Sequence, residues 1–233
     1  MARVAVAASL VVLWTALFSV PALLAGALDR SGRLAHRITR QWARLVLIGC
    51  GVDVSLSGLE NLPAGPAVFA ANHGSALDIP VLFGYLPVGF RIIHKRSLYL
   101  LPVIGWYLWL AGHVSIDRGN PFKARKTLDV AAERMRGGTN FVVFPEGTRS
   151  RDGGVGLFKR GSFVLAIAAG VPVVPVSLAG VKQVVPHGLL TLTAGRVRVR
   201  LHPPLPTAGR THDDAETLAE ATRTVVVAAL AEA

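Results

Sequence analysis

The chain has 233 residues, 52% of them hydrophobic and only 17% charged, with a formal net charge of +11. That length suits one α/β domain with a sizeable core, and the apolar balance points to contact with lipid. Cys50 is the only cysteine, which excludes an intrachain disulfide and a cysteine metal cluster; its apolar neighbours favour a packed thiol.

Val4 to Leu28 carries no charged residue. At about 1.5 Å per helical residue this run is long enough to cross a bilayer core of roughly 30 Å, and Pro21 is expected to kink it. A cleaved signal peptide is the competing reading, from the small residues Ala25-Gly26-Ala27. The length of the run, and an N-terminal charge of only Arg3 plus the amine, favour a retained anchor. Arg30, Arg33, Arg37, Arg40 and Arg44 follow at helical spacing, with Leu34, Ile38, Trp42 and Leu45 on another stripe. This pattern predicts an amphipathic helix in the headgroup region, apolar side down; a solvated basic face on a core-packing helix is the alternative. Arginines after the apolar run place the rest of the chain on the cytoplasmic side.

Short apolar strands then alternate with helical stretches. Strands are expected at Val52–Ser57, Ala67–Ala71, Arg91–His94, His113–Ile116, Asn140–Phe144, Val173–Ser177 and Arg196–His202. Helices are expected near Ile79–Tyr85, Val103–Ala111, Pro121–Met135, Gly161–Ala169 and Asp213–Glu232. Several strands are apolar throughout, as strands covered on both faces are. The fold class is therefore α/β, a single mixed-sheet domain over 51–233 with helices on both faces, behind N-terminal membrane-associated helices over 1–50.

Two polar segments directly follow apolar strands. In Asn72-His73-Gly74-Ser75-Ala76-Leu77-Asp78, His73 suits a general base near neutral pH. Asp78, five residues on, can reach the second imidazole nitrogen only through a turn entering a helix. By itself the pair fits equally well a strand-end histidine beside an N-capping aspartate. In Phe144-Pro145-Glu146-Gly147-Thr148-Arg149-Ser150, Gly147 permits a sharp turn and Arg149 offers a planar cationic fork suited to phosphate. Glu146 can receive an acceptor hydroxyl, orient Arg149 or form a loop ion pair. Arg118 ends a third strand, and Val171–Val176, with its two prolines, can wall an acyl channel or pack a core.

Together, in this order, these four segments resemble the glycerolipid acyltransferase superfamily, and in particular the bacterial 1-acyl-sn-glycerol-3-phosphate (lysophosphatidic acid) acyltransferases. The resemblance runs from about Ala67 to Val176. His73 to Asp78 matches the His-four-residues-Asp motif, and Phe144 to Arg149 the Phe-Pro-Glu-Gly-Thr-Arg motif. Arg118 matches the arginine of the intervening motif, although Asp117 stands where the family often has an aromatic or aliphatic residue. Val171–Val176 matches the last motif, and Lys159-Arg160-Gly161 is family-like too. The resemblance implies that His73 and Asp78 are catalytic, that Arg118, Glu146, Gly147, Thr148 and Arg149 bind the phosphate-bearing acceptor, and that no metal or cofactor is needed beyond a donor thioester on coenzyme A or acyl-carrier protein. It implies transfer of a fatty-acyl group to the sn-2 hydroxyl of lysophosphatidic acid, with membrane lipids and the acyl thioester donor as partners, and leaves open whether acyl-carrier protein is one.

Rival readings divide on particular residues. A Ser75 acyl-enzyme lacks a Gly-x-Ser-x-Gly elbow. A zinc site from His73, His94 and His113 lacks ligand spacing. A nucleic-acid binder would interleave basic residues with stacking aromatics, and this chain concentrates them in the arginine stripe. A different lyso-lipid acceptor, or a silent lipid-binding protein on the same fold, remains open at this point. Lys95, Arg96, Lys123, Arg125 and Lys126 suit a solvated face, an acidic carrier protein or the diphosphate of coenzyme A.

Overall fold

In the computed structural model, which describes residues 2–117, 119–150, 154–185 and 192–232, the apolar run forms helix α1 (Ala2–Leu28) and the arginine-striped segment helix α2 (Arg33–Gly49). There follow β1 (Val52–Ser57), β2 (Val68–Ala71), α3 (Asp78–Tyr85), β3 (Phe90–Lys95), α4 (Ile104–Leu110), β4 (Val114–Ile116), α5 (Pro121–Arg136) and β5 (Asn140–Val143). The chain continues with α6 (Gly161–Ala169), β6 (Val173–Ala179), a short α7 (Val181–Val184), β7 (Gly195–Leu201) and α8 (Ala215–Ala231). Short 3₁₀ turns interrupt this order, including Arg96–Leu100 before α4. The expected strands and helices are all present; α7 was not anticipated. Pro21 lies inside α1, which is assigned as one continuous helix.

Among the described residues the strands form one seven-stranded sheet in the order β1-β7-β6-β2-β5-β3-β4. Neighbouring pairs are parallel except β6 with β7, which is antiparallel, so the sheet is mixed. Successive residues of a strand face opposite sides. Phe69, Val142, Val174 and Val176 pack on one face against Ala43, Val46 and Leu47 of α2 and Val81 and Leu82 of α3. Val68, Ala70, Phe141 and Val143 pack on the other against Met135 of α5, Phe163 and Leu165 of α6 and Leu218 of α8. This two-sided cover is why the central strands lack polar alternation.

Helix α2 departs from the expected interfacial helix. Its buried line is Ala35, His36, Thr39, Ala43, Val46 and Leu47, and it packs into the same core as the sheet. These are mostly small or weakly apolar residues, so the line is quiet in the sequence although it lets α2 sit close on α3. The Leu34, Ile38, Trp42 and Leu45 stripe turns toward α1 instead: Trp42 Nε1 donates to Thr15 Oγ1 at 3.2 Å, and Ile38 packs beside Ala25, while Leu34 stays exposed. Arg40 and Arg44 donate to the carbonyls of Leu86 and Gly84 at the end of α3, where cations complement unpaired helix carbonyls. Arg30, Arg33 and Arg37 remain exposed.

Burial of His36 has a consequence for stability. Its ring lies 5.4 Å from that of Phe83 and 5.0 Å from that of Phe90, and neither nitrogen has a hydrogen-bond partner. Burial first, then the positive charges of Arg40 and Arg91, hold its pKa down to about 4. The unfolded chain therefore binds the proton more tightly than the fold does. Stability is full above the ordinary histidine value and is lost as pH falls from about 6.5 toward 4. His113, also buried, is displaced in the same direction. Replacing His36 with leucine is expected to raise stability at pH 5 by about 2 kcal/mol relative to its effect at pH 8, measured as thermal unfolding in detergent at both pH values.

Candidate active site

The parallel pairing of β2 with β5 brings the two polar segments together. Ala70 lies opposite Val143, so both strands deliver their next residues to the same edge of the sheet, where open α/β sheets place their sites. Asn72 fixes the end of β2 by a reciprocal pair with β6: its Nδ2 donates to Leu178 O at 3.1 Å and its Oδ1 accepts from Leu178 N at 2.8 Å. The chain then turns through Gly74-Ser75-Ala76 and enters α3 at Asp78. This turn closes the five-residue gap between histidine and aspartate that a straight helix leaves open.

Asp78 is fully buried. Its Oδ2 lies 2.7 Å from His73 Nδ1 and accepts from the backbone amides of Gly74 at 2.8 Å and Ser75 at 2.9 Å. A carboxylate oxygen here requires a proton on Nδ1, which leaves Nε2 as the basic nitrogen. The imidazole stacks on Phe144, with centroids 4.1 Å apart and planes at 22°. The ring is thus held at one edge by a buried charge and on one face by an aromatic side chain, while part of it stays open to solvent. Phe144 was expected to end strand β5; it leaves the sheet instead and supports the base.

Glu146 does something different from what its motif position suggested. It is buried, and each of its oxygens serves a backbone amide: Oε1 accepts from His73 N at 2.7 Å and Oε2 from Gly156 N at 2.9 Å. Ser150 N also donates to His73 O at 2.8 Å. The carboxylate therefore staples the β5 loop to the backbone of the histidine, and it forms no ion pair with Arg149 among the described residues. Glu146→Gln turns one acceptor into a donor facing an N–H, which costs about 1–3 kcal/mol. It is expected to lower kcat by about tenfold through misplacement of His73, with KM for the acceptor little changed; a kcat-against-KM split together with thermal unfolding checks this.

The other expected residues fall out as follows. Arg149 and Thr148 are exposed on the loop beside His73. The Arg149 guanidinium makes no hydrogen bond or ion pair among the described residues and so stands available to a ligand. Gly147 turns the loop with φ 77°, and its amide donates to Phe144 O at 3.0 Å. Arg118 lies outside the described residues. The proline-containing segment forms the start of β6, where Val173, Val174 and Val176 are fully buried in the two cores, so it packs rather than lines a channel. Lys159 N donates to Pro145 O at 3.0 Å just before α6. The amides of Gly74 and Gly147 are both engaged within the protein, to Asp78 Oδ2 and Phe144 O, so neither is free to donate to an oxyanion as the site stands.

Ser75 is buried, and its hydroxyl accepts from Leu77 N at 3.3 Å, so it closes the turn and is poorly placed as a nucleophile. The histidines weighed for zinc serve separate neighbours. His113 Nδ1 accepts from Ile92 N at 3.0 Å, and His94 Nδ1 pairs with Lys95 O.

A buried carboxylate, a histidine and an adjacent arginine whose outer nitrogens have no partner among the described residues, set at the carboxyl ends of parallel strands, define the site of an acyl-transfer fold. The chain belongs to the acyltransferase family, whose model matches residues 53–179. It is similar to the chloroplast 1-acyl-sn-glycerol-3-phosphate acyltransferase of Arabidopsis thaliana, at 38% identity over 73% of this chain and 48% of that one. It is also similar to the 1-acyl-sn-glycerol-3-phosphate acyltransferases of Chlamydomonas reinhardtii, at 37% identity over 93% of this chain and 67% of that one, and of Saccharomyces cerevisiae, at 34% over 85% and 67%. The chain spans about half the length of the chloroplast proteins of Arabidopsis and Brassica napus that it matches. Among solved structures, the 1-acyl-sn-glycerophosphate acyltransferase PlsC of Thermotoga maritima superposes with a TM-score of 0.74 at 30% identity, covering 95% of both chains.

Proposed function

We propose that the protein transfers a fatty-acyl group from an acyl thioester to the sn-2 hydroxyl of lysophosphatidic acid, giving phosphatidic acid. The contact between His73 Nδ1 and the buried Asp78 carboxylate carries this reading, because it directs Nε2 to the substrate as a base. In the reaction, Nε2 takes the proton of the hydroxyl as its oxygen attacks the thioester carbonyl. Asp78 stabilises the imidazolium that forms and keeps its own charge. Collapse of the tetrahedral intermediate breaks the C–S bond, and the thiolate leaves with the proton returned by Nε2. A thiol with a pKa of about 8.5 needs little acid assistance. Arg149, with Arg118, holds the acceptor phosphate and so aligns the hydroxyl.

The relatives named for 1-acyl-sn-glycerol-3-phosphate support this acceptor over other lyso-lipids. Coenzyme A and acyl-carrier protein both suit the donor role, and the exposed cations of α5 suit either. The membrane location is supported by α1, whose stretch Val4–Leu28 is long and apolar enough to cross a membrane, with a mean hydropathy of 2.1. With the arginines of α2 on the cytoplasmic side, the site faces the cytoplasm at the membrane surface.

The test offers the purified protein each donor with lysophosphatidic acid and with neutral lyso-lipids, following thiol release and lipid product. Product only with a neutral acceptor, or with none, overturns the proposal. Arg149→Ala is expected to raise KM for lysophosphatidic acid by about 10- to 100-fold, the worth of one charge-assisted hydrogen bond. Any activity toward a neutral acceptor is expected to be untouched.

A further inference from the structure

The segment from Lys95 to Leu110 folds in a way that soluble surfaces avoid. The 3₁₀ turn Arg96–Leu100 and helix α4 are joined by a tight reversal at Val103, whose φ of 65° and ψ of −57° put a β-branched residue in a γ-turn. Ile104 N donates to Pro102 O at 2.7 Å across it. This turn is rare and strained even for less bulky residues. Gly105 permits the reversal, since a Cβ there would lie 2.5 Å from Tyr99 O. The strain does not bury apolar surface. Leu100 is 82% exposed, Trp109 70% and Trp106 58%, and Leu101 and Ile104 are also exposed.

The inner side of α4 accounts for its packing. Gly105 and Leu108 are buried, whereas Trp106 and Trp109, three residues apart, share the outer side. An apolar cluster of this kind, rich in tryptophan, marks an interaction surface. Its place in the fold identifies the occupant. The end of α1 packs directly on the end of α4: a Cβ on Gly26 would lie 2.8 Å from Leu110 Cβ, and Ala25 and Ala111 share one buried cluster. Leu24 and Leu28, on the same last turns of α1, are likewise uncovered. Lys95 and Arg96, both exposed, open the segment. Cations followed by leucines and outward tryptophans are the composition of a membrane interface.

We propose that the segment 96–109 of the catalytic domain inserts into the same bilayer leaflet as α1, as a second membrane contact separate from the N-terminal helices. Trp106 and Trp109 sit at headgroup depth, and Leu100, Leu101 and Ile104 reach the acyl region. The inference rests on α1 being a membrane helix, and the experiment separates the two.

The full chain, with Cys50→Ala, is reconstituted in phosphatidylglycerol/phosphatidylcholine vesicles carrying a nitroxide at Leu13→Cys in α1, Leu100→Cys, Trp109→Cys, or Glu133→Cys on the exposed face of α5. Accessibility to oxygen is compared with accessibility to a water-soluble nickel chelate. The proposal expects oxygen to exceed nickel severalfold at 13 and 100, a ratio intermediate between those and the aqueous value at 109, and nickel to exceed oxygen at 133. Lipid exposure at 13 with aqueous values at 100 and 109 overturns the proposal and leaves the anchor standing. Aqueous values at all four positions overturn both. Dipolar broadening between copies at 109, unchanged by diluting the protein in lipid, assigns the surface to a second copy of the chain and also overturns it.

Discussion

Replacing His73 with alanine is expected to lower kcat for acyl transfer by about 10³-fold, within the range that a positioned general base contributes. The ring's second nitrogen has no substitute nearby: Ser75 faces inward, and Glu146 is committed to two amides. Residual transfer reflects proximity alone, since Arg149 persists. The variant also leaves Asp78 with two amide donors in place of three partners, so thermal unfolding in detergent must accompany the thiol-release assay. A protein that melts cooperatively and retains full activity would end the case for direct base catalysis by His73.

Asp78→Asn separates charge from orientation. Oδ2 is fixed by the amides of Gly74 and Ser75 as well as by His73. Two N–H groups demand an acceptor, so asparagine places its carbonyl oxygen there and its NH₂ where Oδ1 stood. Nδ1 then still donates to an oxygen and the tautomer survives. What disappears is the negative charge opposite the imidazolium. At about 4 Å and an effective dielectric constant near 20, that attraction is about 4 kcal/mol, an upper bound because the surroundings relax. The expected result is a fall in kcat of about 10²- to 10³-fold with KM nearly unchanged. A drop below tenfold would recast Asp78 as a scaffold for the turn, with little part in stabilising the transition state.

The two variants bear on a feature of the local design. In this site the aspartate does not merely face the histidine. It gathers the backbone of the turn around itself, so the residues that enter α3 and the histidine proposed as the base are held by one oxygen atom. Glu146 repeats the device on the other side, gripping the histidine's own amide. Buried carboxylates are tolerable here because amide donors compensate them. The result is a base whose backbone, ring edge and ring face are each fixed by a different element.

Much of this was legible in one dimension. Apolar runs bounded by turn residues located the strands because central strands are covered on both faces and have no polar side to display. The long uncharged run located α1 by length alone. The motifs following β2 and β5 were visible because strand ends are where polar residues interrupt such runs. Less visible was the inner face of α2, built from alanines, threonine and a histidine, since small residues give little hydrophobic signal while allowing close packing. The outer faces of α1 and α4 were equally opaque: an apolar residue in a sequence does not say whether it will be covered.

For the site itself, residue types and spacing determined that a base, a carboxylate and a cationic fork belong to this chain. They did so because chemistry near neutral pH draws on few side chains and the turn glycines restrict where those can converge. Only the tertiary structure decided which group acts on which. Strand pairing, a contact between segments some seventy residues apart (His73 and Glu146), set Glu146 on the histidine's backbone and not on a ligand. It moved Phe144 out of the sheet to stack on the ring, and it turned Ser75 inward. Those assignments depend on register and distance, to which local sequence is nearly blind, because a hydrogen bond is made or lost within a few tenths of an ångström.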